Sequence, residues 1–285
     1  MSKILGLVII LVSVFGGYAW AGGYLAALWQ PAEILIIFGA GLGSLVIANP
    51  KAVLVDMYRQ IKELLGVEKE DPELYPQLFG LLGMLMNQIQ SQGLKVLDDH
   101  VEKPRESSLF LMYPAVLDHP NVLQFLIDNL RLQSIGKISA HDLAQILEEE
   151  IYRIEEDRLR PSRALARVAE AMPGFGILAA VMGIIITMSS IDGPITVIGI
   201  KVAAALVGTF VGIFACYCLF DPLSKALEHL TERKSAQLRC VAAILTAFAK
   251  GKPPMLAIDA GRKQIQSENR PSFIELERWM VEQQS

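Results

Sequence analysis

Four long apolar blocks alternate with charged stretches along the chain. They cover approximately Ile4–Ala21, Ala32–Ala48, Glu170–Ser190 and Thr196–Phe220. Each block is close to the roughly 20 residues that an α-helix needs to cross a bilayer. The pattern predicts an all-α membrane protein with four transmembrane helices, which are called spans one to four below.

The segment between spans two and three also shows helical periodicity. Apolar side chains recur three and four positions apart in residues 78–89 and in residues 141–160, a spacing typical of amphipathic helices. We therefore expect a helical cytoplasmic domain. The predicted division is 1–50 with spans one and two, 51–168 as the cytoplasmic domain, 169–221 with spans three and four, and 222–285 as a cytoplasmic tail.

Basic residues cluster on one side of the four spans. Those that follow span two, precede span three or follow span four include Lys51, Arg59, Lys62, Arg153, Arg158, Arg160, Arg163, Arg167, Lys225, Arg233, Lys234 and Arg239. The positive-inside rule makes that side cytoplasmic, so both termini are expected inside. Lys201 is the exception, near the outer end of span four, and we expect its ammonium to extend outwards.

The N-terminal block allows a second interpretation. Lys3, the apolar core and the small-x-small sequence Ala19-Trp20-Ala21 are also features of a secretory signal peptide. We expect this segment to be kept as a transmembrane helix.

Composition narrows the function classes. The 285 residues are 52% hydrophobic with a net charge of −4, which gives no basic footprint for nucleic acid. The sequence contains no Gly-rich phosphate loop, no His/Cys set with metal-ligand spacing and no nucleophile elbow. We therefore expect no enzyme and no cofactor. The cysteines Cys216, Cys218 and Cys240 are expected to be small hydrophobes.

Small residues form stripes on the inner spans. Span three carries Pro173, Gly176, Ala180, Gly183 and Thr187; span four carries Ala204, Ala205, Gly208, Thr209, Gly212 and Cys216; span two carries Gly39 and Gly43. Such stripes allow helices to approach closely in lipid. The pattern leaves two interpretations open, namely packing within one chain and an interface with another chain.

Spans three and four contain no Asp, Glu or His in their interiors. Relays for protons or sodium ions need an ionisable group inside the membrane. If this protein moves ions, a partner must supply the carboxylate, because Glu33 lies too close to the outer edge of span two.

Seven stretches of the chain resemble the MotA family of flagellar motor stator proteins. They are SVFGGY (13–18), QPAE (30–33), PRES (104–107), MPGFGILAAVMG (172–183), LVGTFVGIFACY (206–217), DP (221–222) and RPSFIELE (270–277). The resemblance covers nearly the whole chain and joins both inner spans to a loop motif and a C-terminal motif.

The resemblance implies a function and its partners. It implies a bacterial inner-membrane complex in which a pentamer of such chains surrounds two MotB chains, and MotB supplies the membrane aspartate. Ions cross between the two proteins, and the resulting motion acts on the rotor protein FliG. The family positions for ion passage and coupling fall on Pro173, Thr209, Tyr217 and Pro222.

Three positions differ from the residues that particular relatives carry there. Sodium-driven relatives have threonine where this chain has Ala180, so we expect proton drive. At the rotor-facing surface, many relatives have arginine at the position of Gln90 and glutamate at that of Asp98. Asp98 and its neighbour Asp99 keep the negative charge, and Lys95 is the candidate replacement for the missing positive charge.

Two other functions are compatible with membrane spans and a helical cytoplasmic domain. A TolQ/ExbB-type unit that energises an outer-membrane process is the main alternative, but such proteins usually have three spans and lack the PRES and RPSFIELE stretches. A passive membrane scaffold is the other. Pro173 itself has two interpretations, since it either starts the helix of span three or bends that helix at the inner mouth of the ion path.

Overall fold

The computed structural model describes residues 2–66, 71–136, 138–189 and 192–282, and its regular elements are all helical. The α-helices are α1 (Ser2–Leu11), α2 (Gly17–Trp20), α3 (Pro31–Ala48), α4 (Lys51–Leu65), α5 (Leu74–Gln92), α6 (Val96–Val101), α7 (Ser108–Leu111), α8 (Pro114–Leu117), α9 (Pro120–Ser134), α10 (Ala140–Met188), α11 (Ile195–Phe214), α12 (Asp221–Ala249), α13 (Pro254–Arg262) and α14 (Phe273–Glu282). The predicted all-α class is confirmed.

Four helical segments are long and apolar enough to cross a membrane, which agrees with the predicted spans. Span one is α1 and α2, joined by a π-helical turn at Val12–Gly16. Span two is α3, with Pro31 in its first turn. Ser190, the last residue of predicted span three, and Ile191, which follows it, lie outside the described residues.

Span three is the C-terminal part of one 49-residue helix, α10, which also contains the amphipathic segment 141–160. Pro161 and Pro173 both lie inside this helix. The interpretation of Pro173 as a helix-start proline is therefore wrong, since α10 begins at Ala140. The helix is continuous through both positions, although each proline lacks the N–H group that would donate one helical hydrogen bond.

The chain forms two compact units. One consists of Met1–Gly66 and Arg158–His229, and the other of Val67–Asp157 and Leu230–Ser285. The first unit contains the spans together with α4, whose Val53 and Met57 are buried against Ala164, Leu165 and Leu227. The predicted division at 51–168 and 222–285 remains a prediction.

The second unit has its own hydrophobic core, centred on α5. The side chains of Leu78, Phe79, Leu81 and Phe110 have no more than 1% exposure. Most of α5 is buried because α6, α8, α13 and α14 pack against it. Helix α6 packs on this core through Leu97 and Val101.

The RPSFIELE stretch is attached to this core by a buried carboxylate. Asp259 is 9% exposed and accepts hydrogen bonds from Arg262 Nε at 2.8 Å and Lys263 Nζ at 2.9 Å. Arg262 Nη1 also donates to the carbonyl oxygen of Pro271 at 2.9 Å. Arg262 thereby connects α13 to the segment that starts α14.

The charge of Asp259 should contribute to stability at neutral pH. Burial alone would raise the pKa of Asp259, but the hydrogen bonds and charges of Lys263 and Arg262 outweigh it and lower the pKa. A lowered folded-state pKa gives stability that is present above the unfolded pKa of about 3.9 and is lost as the pH falls through the folded value. Asp259→Asn should therefore destabilise the fold by about 1–3 kcal/mol at pH 7.

Thermal unfolding of the purified protein at pH 7 and pH 3 checks this expectation. The difference between Asp259→Asn and wild type should shrink at pH 3, and Asp98→Asn, at an exposed position, serves as the control. An equal loss of stability at both pH values would contradict an electrostatic role for Asp259.

Candidate functional site

Spans three and four cross at a contact made by glycines. A Cβ atom on Gly176 would lie 2.7 Å from the carbonyl oxygen of Gly208, and one on Gly212 would lie 2.6 Å from the carbonyl oxygen of Met172. Only glycine allows two helix backbones to approach this closely. The stripes on α10 and α11 therefore face each other within one chain, which supports the first of the two interpretations left open by the sequence.

On span two, the glycine at the close helix contact is not one of the two that were predicted. Gly39 and Gly43 have open space around their Cα atoms, whereas a Cβ on Gly41 would collide with the side chain of Met172. Gly41 is thus the residue through which α3 approaches α10. Gly39 and Gly43 make no close helix contact within the described residues.

Two of the predicted ion-path residues lie at the crossing of α10 and α11. Ala180 is 8% exposed, and its backbone nitrogen lies 3.3 Å from the position of a Cβ on Gly208. The Cα of Thr209 lies 3.3 Å from the position of a Cβ on Gly176. The structure therefore brings Ala180 and Thr209 to one crossing, where Thr209 is partly exposed.

The outer part of the crossing holds a hydroxyl and a carboxylate. Thr187 is 3% exposed and donates to the carbonyl oxygen of Gly183 in its own helix at 2.8 Å, as membrane threonines usually do. Glu33 Oε1 lies 3.8 Å from the position of a Cβ on Gly183. The carboxylate of Glu33 is consequently near the C-terminal end of α10, which is the end predicted to face outwards.

The other two predicted coupling residues of span four lie beyond the crossing. A π-helical turn at Ala215–Phe220 separates α11 from α12. Tyr217 lies in this turn with 67% of its side chain exposed, and Pro222 is exposed in the first turn of α12. The structure does not bring Tyr217 or Pro222 together with Ala180.

Sequence patterns give no sign of this π-helical turn, which has no characteristic residue type. Such turns are often found at functional sites. Phe15, in the π-helical turn of span one, packs on Phe214 and Phe210 of α11, with ring centroids 5.3 and 6.3 Å apart. Two of the stretches that carry the family resemblance therefore meet at these rings.

The predicted rotor-facing residues surround the turn between α5 and α6. Gln90 is on α5, which ends at Gly93 with φ 83°, and Lys95 directly precedes α6, which carries Asp98 and Asp99 in its first turn. All four side chains are exposed. No ion pair of Lys95, Asp98 or Asp99 with another described residue is found, so these three charges face solvent.

His100 of α6 connects this helix to Gln88 of α5 and to Ser107, which directly precedes α7. Its Nε2 is 3.1 Å from Gln88 Oε1, and its Nδ1 is 2.8 Å from Ser107 Oγ. Because an amide oxygen only accepts, Nε2 donates to Gln88 and Nδ1 accepts from the Ser107 hydroxyl. The last residue of the PRES stretch is thereby connected to α6. Since these residues are separated in sequence, only the fold reveals the contact.

Among the residues that the structure describes, no group of three His, Cys, Asp or Glu side chains could hold a metal ion. The crossing of α10 and α11 instead offers the hydroxyls of Thr209 and Thr187 beside close-packed backbone, and the Glu33 carboxylate lies near Gly183 at one end of it. It would complete an ion path only with an ionisable group from another chain.

Comparisons with known proteins agree with this geometry. The sequence model of "Motility protein A N-terminal" matches residues 4–93, and that of the "MotA/TolQ/ExbB proton channel family" matches residues 121–240. Chemotaxis protein LafT of Vibrio parahaemolyticus is 53% identical over 284 residues and covers all of both chains. Motility protein A of Escherichia coli K12 is 38% identical over 277 residues, which is 97% of this chain and 94% of the relative.

Two solved structures share the fold. The Campylobacter jejuni MotAB structure ("C. jejuni MotAB") superposes with a TM-score of 0.75 at 19% identity and covers 95% of this chain and 98% of that one. The flagellar MotAB stator complex from Bacillus subtilis gives a TM-score of 0.72 at 22% identity and covers 96% and 98%. The N-terminal match and the full-length relatives separate this chain from TolQ and ExbB. The chain belongs to the MotA/TolQ/ExbB proton channel family, and within it to the MotA-type flagellar stator proteins, which are not enzymes.

Proposed function

We propose that this chain works with a MotB-type subunit to couple inward proton flow to torque on the rotor protein FliG. The observation that carries the proposal is the glycine crossing of α10 and α11, which places Thr209 at a close helix contact. Residues 172–188 of α10 and the whole of α11 contain no Asp or Glu. A carboxylate from a membrane helix of the MotB-type subunit would supply the missing ionisable group.

Proton drive is the proposed form of energy supply. Sodium must lose part of its hydration shell in a narrow path, and oxygen ligands have to replace it. The methyl group of Ala180 offers no such ligand beside Thr209, whereas a proton can pass along hydrogen bonds. The position of Ala180 at the same crossing as Thr209 supports this choice.

Assembly and orientation complete the proposal. The chain forms a pentamer around its MotB-type partner in the bacterial inner membrane, with both termini in the cytoplasm. The excess of Lys and Arg on one side of the four spans supports this orientation. Ion-path residues Pro173, Ala180, Thr209, Tyr217 and Pro222 then belong to the membrane unit, and Gln90, Lys95, Asp98 and Asp99 to a cytoplasmic surface.

The test of the proposal is complementation of a bacterial strain that lacks its own stators. Expression of this chain with the MotB-type protein encoded beside it should restore rotation and should allow both proteins to be purified together. Neither protein alone should restore rotation. Co-purification without any rotation would contradict the proposed coupling.

Charge reversal on α6 should reduce torque. The acids Asp98 and Asp99 are exposed and face solvent, so they can attract a basic surface of FliG. Each surface ion pair contributes only about 0–1 kcal/mol, but Asp98→Lys/Asp99→Lys changes attraction into repulsion at two adjacent sites. We expect stall torque to fall about fivefold or more, which corresponds to about 1 kcal/mol of interaction energy.

The matched control for this variant is Glu148→Lys/Glu149→Lys, which reverses two adjacent exposed acids on α10. Tethered-cell torque of the control should stay within twofold of wild type. Full torque in the α6 variant would remove Asp98 and Asp99 from the rotor-binding surface.

A further inference from the structure

A reciprocal pair of hydrogen bonds joins α10 to α12. It lies before the glycine crossing along α10 and after it along the chain of span four. Ser162 Oγ donates to the carbonyl oxygen of Ser224 at 3.1 Å, and Ser224 Oγ donates to the carbonyl oxygen of Ser162, also at 3.1 Å. The two residues are 3% and 2% exposed. Each serine therefore binds the backbone of the other helix, 62 positions away in the sequence.

This arrangement differs from the usual behaviour of hydroxyls in helices, which donate to a carbonyl of their own helix. Ser44 donates to Gly41 and Thr187 donates to Gly183, each within one helix. Both serines are buried, and Ala164, Leu165 and Leu227, close to them in sequence on the same two helices, belong to a buried apolar cluster. In surroundings of low dielectric constant these bonds are stronger than they would be in water.

The pair lies in a stretch that is bounded by prolines. Ser162 directly follows Pro161 and precedes Pro173 in α10, and Ser224 lies two positions after Pro222 in α12. A proline inside a helix removes a backbone hydrogen bond, and helices bend at such places. The two bonds consequently connect α10 and α12 beside the positions at which either helix is able to bend.

We propose that Ser162 and Ser224 are positioning residues that make α10 and α12 move together when ions pass. A displacement of span three at Pro173 is then transferred to α12 rather than lost as sliding between the two helices. The inference rests on the proposed function, since it assigns these residues to the coupling step and not to ion passage.

The experiment compares torque with ion conductance in the complex of this chain and its MotB-type partner. Ser162→Ala/Ser224→Ala removes both hydroxyls and leaves the two carbonyls in their helical hydrogen bonds, so that no buried polar group loses its only partner. The matched control is Ser44→Ala, which removes a hydroxyl bonded within its own helix. For each variant we would measure the amount of complex in the membrane, the proton flux into cells and the stall torque.

The expected result is an unchanged amount of complex, a proton flux within twofold of wild type and a stall torque reduced at least threefold. Each single alanine variant keeps one of the two bonds and should give an intermediate torque. Full torque in the double variant would overturn the inference. A proportional fall of complex, flux and torque would also overturn it, because that pattern indicates a purely structural role. A wild-type complex that conducts protons without rotation would overturn the proposed function as well.

Discussion

Replacing Gly212 by valine is expected to abolish rotation, because the crossing of α10 and α11 cannot accept a larger residue there. A Cβ on Gly212 would lie 2.6 Å from the carbonyl oxygen of Met172 and 2.9 Å from the Cα of Gly176. Both neighbours are backbone atoms, so no side-chain rotation relieves the clash. The helices must separate, at a cost of about 3 kcal/mol, the upper part of the usual range for overpacking.

Gly199→Val is the matched control for this variant, since Gly199 lies on the same helix and has open space around its Cα. Swimming speed and the amount of stator complex in the membrane should be near wild type for Gly199→Val. Both should be lost for Gly212→Val. Normal motility of Gly212→Val would show that α10 and α11 are not held together by this contact.

Pro173→Ala should instead give a stable complex that produces little torque. Pro173 lies 33 residues after the start of α10, so its replacement restores a backbone hydrogen bond inside the helix. The helix should gain up to about 3 kcal/mol in stability. If bending at this position transfers the effect of ion passage to the cytoplasmic part of α10, the stiffer helix should lower torque at least tenfold.

The control is Pro120→Ala, which changes an exposed proline in the first turn of α9. At that position the proline has the helix-start role, and its loss should alter neither stability nor torque by much. Torque is measured on tethered cells, and the thermal stability of the purified complex is measured in parallel. A Pro173→Ala complex that rotates at full torque would eliminate bending at Pro173 from the coupling mechanism.

The sequence predicted the four spans because length and hydropathy alone determine which helices can cross a bilayer. It did not predict that span three and the segment 141–160 form one helix, since Pro161 and Pro173 suggest breaks. Tertiary packing overrides that local preference. The all-α class and the family follow from local patterns that need no contact information.

The candidate site was predicted in part. Small-residue spacing identified the stripes on α10 and α11, but one helix cannot reveal what lies opposite it, so the choice between packing within one chain and between chains required the fold. The contacts of His100 with Gln88 and Ser107, and of Ser162 with Ser224, join residues that are distant in sequence. The π-helical turn that contains Tyr217 has no sequence signature.

Rotation speed under controlled ion gradients tests the proposed coupling of inward proton flow to rotation. Cells that lack native stators would express this chain with its MotB-type partner and be tethered by one filament. We predict that speed rises with proton-motive force and stays the same when sodium is removed at fixed proton-motive force. Rotation that stops on removal of sodium, or that persists after the proton-motive force is collapsed, would contradict the account.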